Sequence, residues 1–218
     1  MSWSEVFDLL WVGLQETAWM VLVSTVLTAI GGLLLGVLLV LTAPGGLLSA
    51  PPVYSVLGLI VNIARSLPFI ILLVAVIPFT RAVVGTTIGT DAAIVPLTIG
   101  AIPFFARIVE AALREVPSDV IAAATAMGAT RTQIVGKVLL REARPGLVAG
   151  LTITVIALVG YSAMAGVVGG GGLGDLAIRY GYQRFETEVM VATVAALVVF
   201  VQLIQMAGDL VVRRLSHR

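Results

Sequence analysis

The chain has 218 residues, of which 59% are hydrophobic and 11% charged, with a mean hydropathy of +1.10. That composition excludes a soluble domain and describes an integral membrane protein. The net charge is only +1, and the absence of cysteine removes disulfides, thiol nucleophiles and thiolate metal sites.

The apolar runs are long enough for helices, which need about 20 residues to cross a hydrocarbon core of ~30 Å, and they lack the alternation of a β-barrel. The reading is an all-α membrane protein, one domain over residues 1–218 with about five spans. Ahead of them, Trp3, Phe7, Trp11 and Leu14 fall at helical spacing and predict a short amphipathic helix lying at the outer interface.

The spans are placed at Ala18 to Thr42, Val53 to Phe79, Ala92 to Ile108, Leu147 to Val168 and Val189 to Val212. In the first, Gly32 and Gly36 form a G-x-x-x-G pattern suited to close helix approach. In the second, Arg65 sits beside Asn62, Ser66 and Pro68, where an unpaired cation costs about 3 kcal/mol at the bilayer centre. Either it faces a watery pathway, or the span starts near Pro68 and Arg65 snorkels to the cytoplasmic headgroups; the second is the preferred expectation.

Between the third and fourth spans lies a polar interruption, a loop of about 115–145. Asp119 to Met127 reads as a short helix with Ser118 as N-cap, and Gly128 stands where a left-handed C-terminal residue would. Thr130 through Gln133 matches a capping box, so a second helix is expected from Arg131 to about Glu142. On it Ile134, Val135, Val138 and Leu139 make an apolar stripe, while Gln133, Lys137 and Arg141 line another face. A pair this small cannot build its own core, so it must dock on membrane helices or on a partner. The rival reading is a basic loop resting on anionic headgroups. A DNA-binding helix-turn-helix fits poorly, because the tether between two spans restricts groove access.

Arg107, Arg114, Arg131, Lys137, Arg141 and Arg144 cluster around this loop, and Arg213, Arg214 and Arg218 lie in the tail with the single histidine, His217, read as solvated. The N-terminus carries Glu5, Asp8 and Glu16 with no basic residue before Arg65. By the positive-inside rule the N-terminus is outside and the loop and C-terminus are cytoplasmic. No positive n-region of a signal peptide precedes the first apolar run, so that span is expected to remain.

Enzyme readings fail on context. Gly169 to Gly174 fits G-x-G-x-x-G but follows a span instead of a strand, and reads as a flexible or ligand-proximal outer loop. Gly160, Tyr161 and Ser162 begin a nucleophile-elbow pattern that Met164 breaks. Gly136 and Lys137 are followed by Val138, which fails the Walker pattern, so any ATP is hydrolysed by another chain. In the last span Gln202, Gln205 and Asp209 share a face for interhelical hydrogen bonding, with Asp209 in reach of Arg213.

The segments Ala122-Ala123-Ala124, Ala126-Met127-Gly128-Ala129-Thr130 and Lys137-Val138-Leu139-Leu140 resemble the coupling loop of ABC importer permeases. Two signature positions depart from that family's pattern: Ala122 stands for its glutamate and Arg141 for its proline. Stretches beginning at Asn62, Ile77, Ile94, Val159 and Gly171 extend the resemblance to the methionine-import permease branch.

The resemblance implies a homodimeric pathway in a lipid bilayer, the bacterial plasma (inner) membrane, importing D- and L-methionine. It also implies two cytoplasmic ATPase subunits carrying ATP and Mg, an extracytoplasmic methionine-binding protein, and no cofactor or nucleic acid on this chain. On the same resemblance Ala122, Ala123, Ala124, Met127, Gly128, Ala129, Thr130, Ile134, Lys137 and Leu140 meet the ATPase, and Tyr161, Ser162 and Met164 line the pathway or its gate. The alternatives are a permease for another small amino acid, a secondary transporter, or a non-transporting assembly subunit.

Overall fold

In the computed structural model, which describes residues 3–216, all the regular structure is helical; His217 and Arg218 lie outside the described residues. The first helix, α1 (Trp3–Thr42), is a single rod of 40 residues, about 60 Å at 1.5 Å per residue. A continuous buried stripe of Val6, Gly13, Thr17, Met20, Ser24, Thr28, Gly32, Gly36 and Leu39 runs along it. This corrects the expectation of a separate interfacial helix at Trp3 to Leu14: no breaker divides the segment from the span. Leu9, Leu10 and Leu14 instead pack against Leu173, Leu176 and Val189.

The second apolar stretch is not one straight helix, although with its two bent pieces counted together the described residues hold five candidate spans. Helix α2 (Pro51–Ser66) and helix α3 (Phe69–Ala75) meet at 103°. Leu67, which precedes Pro68, is extended at φ −80°, ψ 128°, as steric conflict with the proline ring demands. Helix α4 (Ile77–Val84) follows, and α5 (Thr90–Arg114) crosses the bundle with Pro96 and Pro103 inside it; surrounding helices tolerate such prolines in a membrane bundle. Helix α6 (Ser118–Ala126) and a second short helix made of α7 (Arg131–Gln133), a π-helical segment (Ile134–Leu139) and α8 (Leu140–Glu142) form the polar interruption. Then come α9 (Arg144–Gly166), α10 (Gly172–Leu176), a second π-helical segment (Ala177–Tyr182) and α11 (Thr187–Ser216).

Lipid tails give helices no hydrophobic reason to associate, so close fit must hold them together. A close seam joins α1 to α5: a Cβ on Gly32 would stand 2.8 Å from Phe105 Cδ1, and one on Gly36 would stand 2.5 Å from Val109 Cβ. The G-x-x-x-G pattern is therefore a packing device. Farther along, Phe69, Leu72 and Leu73 of α3 pack with Leu97 and Ala101 of α5 and Leu158 of α9 in the central core.

The Gly169 to Gly174 segment is not a flexible loop. The Gly172 amide donates to the Glu16 carboxylate (2.6 Å), the Leu173 amide donates to Thr17 Oγ1 (2.9 Å), and Gly89 N donates to the Gly169 carbonyl (2.8 Å). Gly172, Leu173 and Gly174 are buried. On α11, Asp209 accepts from Gln205 Nε2 at 2.8 Å, and the ion pairs found among the described residues do not join it to Arg213. That face makes an intrahelical contact where an interhelical one was expected.

Candidate coupling surface and transmembrane pocket

The polar interruption folds as its local signals dictate. Helix α6 starts at Ser118 itself, with Pro117 in the N-cap position at φ −58°, ψ 133° and no side-chain cap, so Ser118 is not the N-cap. At its end the Gly128 amide donates to the Thr125 carbonyl (3.0 Å) and the Ala129 amide to the Ala124 carbonyl (3.1 Å), the Schellman arrangement. Gly128 has φ +82°, a backbone state open to glycine without a Cβ penalty. Two residues on, the capping box is complete: Thr130 N donates to Gln133 Oε1 (2.9 Å) and Gln133 N donates to Thr130 Oγ1 (3.4 Å).

The second helix spans the expected residues but widens to a π turn at Ile134–Leu139, a rare geometry that adds a residue to the turn. Ile134 and Leu139 are buried with Ala124, Leu113 and Val116. Gln133, Gly136, Lys137 and Arg141 stay exposed. The expected contact set therefore divides. Ala122, Ala123, Met127, Gly128, Thr130 and Lys137 are exposed, Met127 to 82%. Ala129 and Leu140 are half-buried. Ala124 and Ile134 form the internal seam and hold the pair to the bundle, so they do not present themselves to a partner.

A polar joint that hydropathy did not reveal lies above this pair. Arg107 and Arg114, read as loop residues, belong to α5, which runs past the expected end at Ile108. Glu110, only 4% exposed, pairs with Arg107 Nη1 at 2.5 Å and Arg114 Nη2 at 2.6 Å. Tyr54 of α2 donates to the same carboxylate (3.1 Å) and accepts from Arg114 (2.9 Å). Arg107 Nη2 also donates to the Gly58 carbonyl and to Asn62 Oδ1, each at 3.0 Å. The spacing i, i+3 and i+7 of Arg107, Glu110 and Arg114 was the available signal.

A pocket of about 240 Å³ opens at the break between α2 and α3, lined by Ala64, Arg65, Leu67, Phe69, Leu72, Gly100, Phe104 and Tyr161. Tyr161 stacks on Phe69 with ring centroids 4.5 Å apart and planes 9° from parallel. Gly100 and Phe104 lie about 15 to 20 Å from either end of α5 at the usual helical rise. Arg65 is therefore near mid-depth on the last turn of a helix that began at Pro51. This corrects the preferred expectation that the span starts near Pro68 and Arg65 snorkels to headgroups. Ser162 is buried and donates to the Val159 carbonyl at 2.8 Å, so its hydroxyl is engaged within α9 and off the pocket wall. Met164 is 48% exposed and is not on that wall either. Only Tyr161 of these three reaches the pocket.

A family model described as binding-protein-dependent transport system inner membrane component matches residues 32–218. A Vibrio cholerae protein described as a probable D-methionine transport system permease protein MetI is 54% identical over 97% of this chain and 94% of its own length. A Yersinia pestis D-methionine transport system permease protein MetI is 58% identical over 71% of each chain. A solved structure of the MetNI methionine ABC transporter, inward facing, superposes with a TM-score of 0.96 at 54% identity, covering 99% of both chains. An amino acid ABC transporter crystallised with histidines gives a TM-score of 0.79 at 20% identity, covering 97% of this chain and 96% of the other, a likeness of fold.

Proposed function

The chain belongs to the family of binding-protein-dependent transport system inner membrane components, and on that premise we propose that it is the permease subunit of an ATP-driven methionine importer. It works as a membrane-embedded homodimer with two cytoplasmic ATPase subunits and receives methionine from an extracytoplasmic binding protein. The match over nearly the whole chain to a solved methionine importer carries this reading. ATP and Mg belong to the ATPase partner, since the Walker pattern around Gly136 and Lys137 is broken by Val138.

The mechanism follows from the placement of the parts. The Gly128-hinged pair forms one end of the bundle through contacts with Leu113, Val116 and Ala143, and the N-terminus of α1 lies at the other end with Leu173 and Val189. With the basic residues at the first end, that end is cytoplasmic and the N-terminus is outside. Closure of the ATPases moves the exposed rim at Ala122, Ala123, Met127, Thr130 and Lys137. The buried seam at Ala124 and Ile134 passes that movement to α5 and α9. Tyr161, which lines the pocket at the α2–α3 break, is the pathway contact on α9.

The deciding experiment reconstitutes the permease with its ATPase and binding protein in liposomes and follows labelled methionine against amino acid competitors. ATP-dependent uptake with methionine as the strongest competitor is expected. Uptake that follows an ion gradient without ATP would overturn the reading, as would an assembled complex that moves a different amino acid.

A further inference from the structure

We propose that the pocket at the α2–α3 break is a passage site for the α-carboxylate of the imported amino acid, with Arg65 as its anion contact and the Phe69–Tyr161 stack and Phe104 as walls for the apolar side chain. This deepens the proposed function and rests on it.

The chemistry of the pocket is one-sided. Arg65 and Tyr161 are the residues with polar side chains on its wall, and no acidic residue lines it. Arg65 has no ion pair or hydrogen bond among the described residues, whereas Arg107, the other guanidinium on these helices nearest the centre, is held by Glu110, Gly58 and Asn62. A guanidinium left free near mid-depth marks a pathway or ligand site, because lipid does not solvate it. Its planar fork suits a carboxylate held by two parallel hydrogen bonds. Arg65 shares its pocket with Gly100 and Phe104 at the middle of the 25-residue α5, away from the helix ends where headgroups gather.

The remaining wall suits an unbranched side chain ending in a thioether. Leu72, Phe104 and the stacked Phe69 and Tyr161 rings present apolar and aromatic surface, against which a methionine sulfur packs favourably. The volume, about 240 Å³, is below the ~300 Å³ lower end for drug-sized ligands and fits a small amino acid. With no acidic group to hold the ammonium, that end of the substrate faces the open side. The site therefore binds weakly, as a place of passage must.

The test uses the reconstituted permease–ATPase–binding-protein complex and compares labelled methionine with methionine amide, which lacks the carboxylate charge. The same binding protein serves every arm, so a changed ratio reports the permease. Arg65→Gln is expected to lower methionine uptake at least tenfold and to bring the methionine-to-amide ratio toward one, with Arg65→Lys intermediate. Wild-type uptake and an unchanged ratio in Arg65→Gln would overturn the proposal while leaving the import function standing. If the wild type imports another amino acid and not methionine, the proposed substrate falls and the Arg65 effect is read on that amino acid. A wild-type complex that moves no carboxylate substrate overturns both. Should Arg65→Gln fail to assemble, a diazirine-bearing methionine analogue in the unaltered complex decides: crosslinks within residues 64–72 or at Tyr161 are expected, and crosslinks confined elsewhere overturn the site.

Discussion

Gly128 is the position of the short helix pair where the backbone tolerates a side chain least. Its φ of +82° joins two capped helices, and a Cβ there would meet nothing within 4 Å. Substitution is thus opposed by backbone strain without a clash, about 1–2 kcal/mol for an ordinary residue and more for a β-branched one. Gly128→Val is expected to leave the ATPase bound more weakly and to lower methionine uptake per ATP hydrolysed, measured in the same liposomes. Full uptake at the normal ratio would remove the hinge from the mechanism. Glu110 makes a different demand. It compensates two guanidiniums at once, so Glu110→Ala leaves Arg107 with an unpaired, largely buried charge, and about 3 kcal/mol of stability should be lost. Arg114 is half-exposed, and Arg114→Ala should cost under about 1 kcal/mol. Thermal inactivation of the purified complex distinguishes the two; equal losses would mean that burial of Glu110 is not what makes the joint strong.

At the scale of helices, the legible parts were those whose causes are local. The hinge and the capping box could be read because αL glycine and the Thr130–Gln133 pair act within a few residues. The bend in the second apolar stretch was not legible because hydropathy has no direction. Pro68 signalled a break, but the 103° turn depends on Phe69, Leu72 and Leu73 finding Leu97, Ala101 and Leu158, contacts distant in sequence. The same blindness put Arg65 near the headgroups and ended the third span before Glu110. Close helix approach was legible only as a pattern, and its strength is testable on one helix. On α1 a Cβ at Gly13 has Leu173 Cδ2 at 3.3 Å, whereas one at Gly36 has Val109 Cβ at 2.5 Å. Gly36→Ala should cost about 1–3 kcal/mol through overpacking, and Gly13→Ala, whose Cβ finds no atom nearer than 3.3 Å, should cost less. Thermal inactivation midpoints of the two variants measure this, and similar midpoints would show that the α1–α5 seam yields easily.

The whole molecule is a bundle with two chemically distinct ends and apolar flanks. Helix α11 has only 11% of its apolar window buried within the chain, leaving Val191, Val194, Val198, Leu203 and Met206 exposed; lipid or the second copy must cover that face. The ends carry the exposed groups that contact water. Met127, 82% exposed, sits at the hinge of the coupling pair, and Phe185, 84% exposed at φ 57°, sits in the turn before α11 at the opposite end. Because the chain has no cysteine, a single introduced thiol at either place reports its side of the membrane without background. A membrane-impermeant maleimide applied to intact spheroplasts is expected to label Phe185→Cys at once and Met127→Cys only after permeabilisation. Bound ATPase should then slow labelling of Met127→Cys and leave Phe185→Cys unaffected, as the proposed docking on the Gly128 pair requires. Labelling of Met127→Cys in sealed spheroplasts would invert the orientation and put the Gly128 pair beyond the reach of any cytoplasmic ATPase.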